Sequence, residues 1–160
     1  MATEKLKFKL ELYATMWDRP PHCEILINDK RYFDGDIKGT SDKPDVVEFE
    51  HDLEEGKEYS LIINRSGKSK GQTVVNEKGD ILKDQLLNIK SIEIDEIDIG
   101  GLVFEGTYTP QYPEPWATQQ RSAGKVLPEN FKNVTQMGHN GTWSFTFESP
   151  FYMWLLENLY

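Results

Sequence analysis

The chain has a single cysteine, Cys23, among its 160 residues. A lone thiol closes no internal disulfide, and without a second cysteine there is no Cys-x-x-Cys metal site. Basic residues are also scarce. There are 18 Lys and Arg against 27 Asp and Glu, a net charge of −9. That deficit argues against a nucleic acid or an anionic membrane as partner, because both are held by basic surfaces. It suits a solvated acidic surface and is compatible with cation binding. Long apolar runs are missing too. The opening MATEKLKFKL has no stretch long enough for a signal peptide, and nothing approaches the ~18 apolar residues of a membrane span. The expectation is a soluble protein made in a cytoplasm, in which the Asn-x-Ser/Thr triplets at Asn64, Asn133 and Asn140 are accidental. Catalytic signatures are absent as well: no G-x-S-x-G, no H-E-x-x-H, no P-loop and no dinucleotide fingerprint. His22, His51 and His139 lie far apart, and their spacing points to no metal site. Carboxylates are abundant, but nothing marks a general acid or a glycosidase pair. Binding rather than catalysis is the expectation.

What is present is a period of two. Leu6, Phe8, Leu10 and Leu12 alternate with Lys7, Lys9 and Glu11, the pattern of a half-buried strand. Cys23 to Ile27 predicts a second strand, and the turn pair Asn28-Asp29 a hairpin into Arg31 to Phe33. Val47, Phe49 and His51 alternate, as do Tyr59, Leu61 and Ile63. The polar, Gly-containing residues 64–72 predict a loop, and Thr73-Val74-Val75 and Asp80-Ile81-Leu82 flank another turn. Ile92 and Ile94 share one parity and Ile97 and Ile99 the other, so a bulge or tight bend is needed at Asp95-Glu96. Leu102 to Tyr108 continues as a strand, and Trp143, Phe145 and Phe147 alternate in a last one after Asn140-Gly141. Many short strands with polar turns predict a mainly β fold, an antiparallel β-sandwich of jelly-roll type with a short C-terminal helix. At 160 residues it is one domain, burying roughly 70% of its unfolded surface. Residues 5–108 form the sandwich body, 109–135 a Pro- and aromatic-rich connection, and 136–160 the last strand and helix. Pro150 suits the first helical position with Ser149 as N-cap. Phe151 to Tyr160 is apolar almost all round, so it packs on Trp143, Phe145 and Phe147 or on a second subunit. A homo-oligomer is the expectation.

Three aromatics in irregular segments are candidates to stack on sugar rings: Trp17 between the first two strands, and Tyr112 and Trp116 in the connection. The alternative is that they pin long loops to the sandwich. Glu93, Asp95, Glu96 and Asp98 are acidic enough to attract a cation but read first as a solvated face. A better calcium set is Asp80, Asp84, Gln85 and Asn88, whose oxygens flank the anchoring residues Leu82, Leu86 and Leu87.

Lys5 to Gly101 resembles the calcium-dependent xylan-binding modules of the small jelly-roll kind. The likeness rests on ILIND (Ile25 to Asp29), on the strand pair from Thr40 to Asn64, and on LKDQLLNIKSIEIDEIDI (Leu82 to Ile99). It implies a non-catalytic carbohydrate-binding module with calcium as cofactor, and it places Asp84, Gln85 and Asn88 in the calcium loop. Two departures are visible. The family has an Asn-Asp pair where this chain has Asn64-Arg65, and the family's disulfide is missing. The whole chain, through Tyr112 to Gln119 and Asn140 to Tyr160, resembles small proteins encoded by marine tailed phages. That likeness implies a viral product, made in the host cytoplasm and acting there or in the virion. Two functions follow: a glycan binder, or a structural and assembly protein that self-associates through its C-terminal segment.

Overall fold

The computed structural model describes residues 3–15, 20–67, 73–75, 77–78, 81–99, 106–112, 114–132 and 134–159; of residues 73–75, 81–83, 98 and 159 it describes the backbone alone. Among these, two antiparallel sheets face each other. The first runs β12 (Gln136–Met137), β8 (Leu86–Ile94), β1 (Thr3–Thr15), β4 (Asp45–Glu54), with β9 (Ile97–Asp98) folded back on β8. The second runs β11 (Phe131–Lys132), β10 (Thr107–Pro110), β13 (Gly141–Glu148), β5 (Glu58–Ser66), β2 (His22–Ile27), β3 (Lys30–Asp36). A separate hairpin pairs β6 (Thr73–Val75) with β7 (Ile81–Asp84). Two helices complete the chain, α1 (Trp116–Ser122) and α2 (Phe151–Leu159). The predicted antiparallel sandwich with a C-terminal helix is what forms. No helix among the described residues is long and apolar enough to cross a membrane.

The alternating residues deliver the core. Leu6, Phe8, Leu10 and Leu12 of β1 meet Ile25, Leu61, Ile63, Trp143, Phe145 and Phe147 from the opposite sheet, all essentially inaccessible to solvent. Each such side chain contributes roughly 1.5–3 kcal/mol on burial. The parity change expected at Asp95-Glu96 is a two-residue hairpin: both residues have positive φ, 55° and 68°, and Ile94 pairs with Ile97. Positive φ at both central positions matches the strand twist. A second irregularity left no mark in the sequence. The pairing of β1 with β8 slips between Glu11 and Leu12, so Leu87 and Ile89 face inward together with Ile92 and Ile94.

Other expectations shift in detail. β5 does not stop before residue 64 but continues to Ser66, so Asn64 and Arg65 belong to the sheet. The connection holds the short strand β11, which pairs with β10. Most of the strand expected over Leu102 to Tyr108 lies outside the described residues, and its end is β10. Gly141 opens β13 rather than a hairpin loop; an added Cβ there would sit 2.4 Å from the Thr109 carbonyl oxygen, so close strand packing requires glycine.

The C-terminal helix packs on its own sandwich. Phe151 and Leu155 are buried, Phe151 stands edge-on to Phe147 at 5.7 Å, and Trp154 edge-on to Phe145 at 5.6 Å. Its N-terminus is held differently from the expected Ser149 cap. The Ser149 hydroxyl donates to Glu4 Oε2 at 2.5 Å, and the Phe151 N–H donates to the same oxygen at 2.8 Å. A carboxylate is the stronger acceptor at the positive end of a helix, so Glu4 from β1 takes the role. Tyr152 then donates to Asp95 Oδ2 at 2.5 Å, which accounts for one member of the acidic run.

Candidate functional site

The outer face of the second sheet carries polar side chains in register. Asp34 of β3 pairs with Glu24 of β2, Glu24 with Asn64 of β5, and Asn64 with Thr142 of β13. Period two puts all four on one face. Hydrogen bonds link the row: Asn64 Nδ2 donates to Glu24 Oε1 at 3.0 Å, and Thr142 Oγ1 donates to Asn64 Oδ1 at 2.7 Å. Arg31 Nη1 reaches Glu24 at 3.2 Å and Asp34 at 3.4 Å. One row over, His22 sits between two carboxylates, with Nδ1 3.0 Å from Asp36 and Nε2 2.5 Å from Asp34. Those hydrogen bonds, to Asp36 first and then Asp34, hold its pKa above the ordinary histidine value. The row lines an open groove of about 430 Å³, to which His22, Arg65, Gln111 and Gly141 also contribute. Each side chain of the row already has a partner that positions it, and each is at least partly exposed. Such a surface suits a ligand made of hydroxyls.

Aromatic rings stand next to Gln111 and Gly141. Tyr112 follows Gln111, and His139 lies two residues before Gly141. Tyr112 and Trp116 are 6.1 Å apart, and His139 completes a cluster at 5.2 Å from Tyr112 and 5.5 Å from Trp116. The cluster is anchored from below. Tyr108, buried in the core, donates through its hydroxyl to the His139 carbonyl at 2.5 Å and accepts the His139 N–H at 2.9 Å. Tyr112 donates to the Pro128 carbonyl at 2.6 Å, so it also pins the connection. Trp116 remains 37% exposed and offers a ring face. The two aromatics singled out in the connection therefore do come together. His139 was missed, since nothing local to it marks a ring cluster. Trp17 lies outside the described residues. The lone thiol, Cys23, is buried, with its pKa pushed up to about 12 by desolvation, and is inert.

Of the calcium candidates, Gln85 and Asn88 are buried at the same end of the sandwich and Asp84 is half-buried. Gln85 is fully buried at the corner between β7 and β8. Its main-chain and side-chain oxygens accept hydrogen bonds from Arg65 Nη2, at 2.6 and 2.8 Å. Asn88 Oδ1 accepts from Gln136 at 3.1 Å, while its Nδ2 faces the Tyr13 carbonyl and Thr15 Oγ1, each at 3.4 Å. Asp84 Oδ1 accepts the Gln85 N–H at 2.8 Å. Asp80 lies outside the described residues.

No family model matches the chain, and no curated protein matches it in sequence. Solved structures do match. One is vCBM60 in its selenomethionine form, from work describing circular permutation as a link between two families of calcium-dependent carbohydrate binding modules. It aligns with a TM-score of 0.50 at 6% identity, covering 88% of this chain and 89% of that one. The chain shares the fold of a carbohydrate-binding module. A complex of vCBM60 with galactobiose aligns at a TM-score of 0.48 and 6% identity, over 87% of this chain and 96% of that one.

The fold thus raises the question of calcium, and the donor set answers it poorly. Among the described residues no group of three or more His, Cys, Asp or Glu is placed to hold a metal ion. Calcium takes six to eight hard oxygens. Here two Gln85 oxygens are bound by a guanidinium. A unit charge 4 Å from another costs about 4 kcal/mol at an effective dielectric of 20, and a divalent ion beside Arg65 would meet about twice that.

Proposed function

We propose that the protein is a non-catalytic carbohydrate-binding module. It takes a neutral, hydroxyl-rich glycan along the row Asp34, Glu24, Asn64 and Thr142, with Trp116 and Tyr112 stacking at the groove's end. The observation that carries this reading is the register itself. Four polar side chains from four adjacent strands line one open groove that ends beside an aromatic cluster. Carboxylates and amides hydrogen-bond sugar hydroxyls in pairs, while the flat C–H face of a pyranose matches an indole. Glu24 and Asp34, on a chain of net charge −9, select against anionic polymers. The fold likeness supports the reading. The whole-chain likeness to phage-encoded proteins suits attachment of a virion or host-directed product to glycans. Among the described residues no group of three or more His, Cys, Asp or Glu beside this groove is placed to hold a metal ion, so this reading gives calcium no part in binding the glycan.

A second reading rests on α2, which leaves Met153 and Leu156 61% and 62% exposed beside a half-buried Trp154. In that reading the helix is an assembly surface between copies and the groove has no ligand. Native gels cast with xylan, mixed-linkage β-glucan or galactan separate the two. Glycan binding predicts that at least one of these neutral polymers retards the protein while polygalacturonate does not, and that Asn64→Ala or Trp116→Ala releases it. Migration unaffected by every neutral polymer would reject the reading.

A further inference from the structure

Strand β5 turns its odd-numbered residues inward: Tyr59, Leu61 and Ile63, and then Arg65. The alternation that builds the core therefore delivers a guanidinium into it, and Arg65 is only 2% exposed. Burial of a charge is unfavourable unless strong partners replace water. Arg65 finds them across the sandwich. Its Nη2 donates to the Gln85 carbonyl at 2.6 Å and to Gln85 Oε1 at 2.8 Å, while Nε and Nη1 make no hydrogen bond among the described residues. Gln85 leads directly into β8 of the first sheet, whereas β5 is central in the second. One side chain thus ties the two sheets together at the end where the candidate groove lies. Burial lowers the guanidinium pKa to about 10, with Tyr108 and Asp84 acting in the opposite direction, so the group is charged at neutral pH.

We propose that Arg65 is the resident cation of this corner. Its guanidinium takes the oxygens that a divalent ion would need and makes the crosslink itself, so fold and groove are independent of calcium. A bound ion can be lost to a chelator; a side chain cannot. Arg65 also borders the groove, but the proposal stands whether or not the groove takes a glycan, because it is read from stability and calcium binding and not from glycan binding.

The test is thermal unfolding of the intact protein, first stripped with EGTA and then titrated with calcium chloride to millimolar levels, alongside calorimetric titration with the same salt. A ligand that binds only the native state stabilises it in proportion to the logarithm of one plus its concentration over its Kd, and so raises the melting temperature. The expected result is an unchanged melting temperature and no saturable heat. Arg65→Met, which keeps an unbranched apolar stem but removes the donors, should unfold at a lower temperature than the wild type in EGTA, since it takes a charged donor from two buried oxygens of Gln85. A calcium-dependent rise in the wild-type melting temperature with saturable heat would overturn the proposal. So would an Arg65→Met protein as stable as the wild type. The wild-type titration decides the matter even if the variant does not fold.

Discussion

The two ends of the sandwich are built from the same strands by different physics. At one end β1, β5 and β13 bring together Phe8, Tyr59 and Phe147, and α2 adds Phe151 and Trp154 in a continuous chain of ring contacts. At the other end the same strands present Arg65, Gly141 and Thr15, joined by Gln85 at the corner before β8 and by Asn88 within it. At the first end non-directional burial dominates; at the second, hydrogen bonds of fixed geometry join the buried apolar residues. Burial tolerates displacement and supplies most of the stability. Directional bonds fix positions, which is what a ligand needs from the surface above them. The candidate groove and the aromatic cluster both lie at the second end, while α2, which buries Phe151 and Leu155, lies at the first.

The widest gap between the ends should appear in unfolding by denaturant. Phe147→Ala, at the apolar end, removes a fully buried ring that touches five other aromatics. It should cost about 3–5 kcal/mol, as Phe-to-Ala changes in cores do. Thr142→Ala, at the polar end, loses one hydrogen bond on the outer face and should cost about 0.5–1.5 kcal/mol. Equal losses at the two sites would erase the distinction.

How far the sequence foretold these ends follows from the same physics. Burial writes a period, so the rows Leu6 to Leu12, Tyr59 to Ile63 and Trp143 to Phe147 were legible. The inward position of Arg65 was also written in that period, since it continues the parity of Ile63. Ending the strand before residue 64, on polar composition, hid it. The polar row could not be read at all. Glu24, Asn64 and Thr142 are neighbours only because of a register set by pairings up to 78 residues apart in the chain. Likewise Ser149 looked like a helix cap because Glu4 is 145 residues away. Tyr112 and Trp116 were legible as a pair because proline and aromatics cluster locally, whereas His139 joined them only through the fold.

A smaller effect separates two histidines. Hydrogen bonds to Asp36 and Asp34 raise the pKa of His22 above 6.5, so the folded state favours its charged form. Its contribution to stability is complete below 6.5 and is lost as pH rises through the raised folded value. His51, which accepts or donates a hydrogen bond with the Tyr32 hydroxyl, is shifted below 6.5 by burial and by Lys30. Its contribution has the opposite sign and is lost as pH falls beneath 6.5. The difference in melting temperature between wild type and His22→Asn should therefore shrink as pH is raised past 6.5. The effect is small, because His22 and its partners are more than a third exposed. A difference that grew with pH would remove the carboxylate clamp from the account of the groove.

The most direct measurement follows the backbone and indole signals of isotope-labelled protein by nuclear magnetic resonance during titration with a xylo- or galacto-oligosaccharide. The sugar used is the one cut from whichever polymer most retards the protein in native gels. Saturable shifts at Glu24, Asn64, Thr142 and the Trp116 indole, with Phe147 and Phe151 unmoved, are the predicted result. Shifts confined to α2, or saturable binding that leaves Asn64 and Thr142 untouched, would contradict the assignment of the groove.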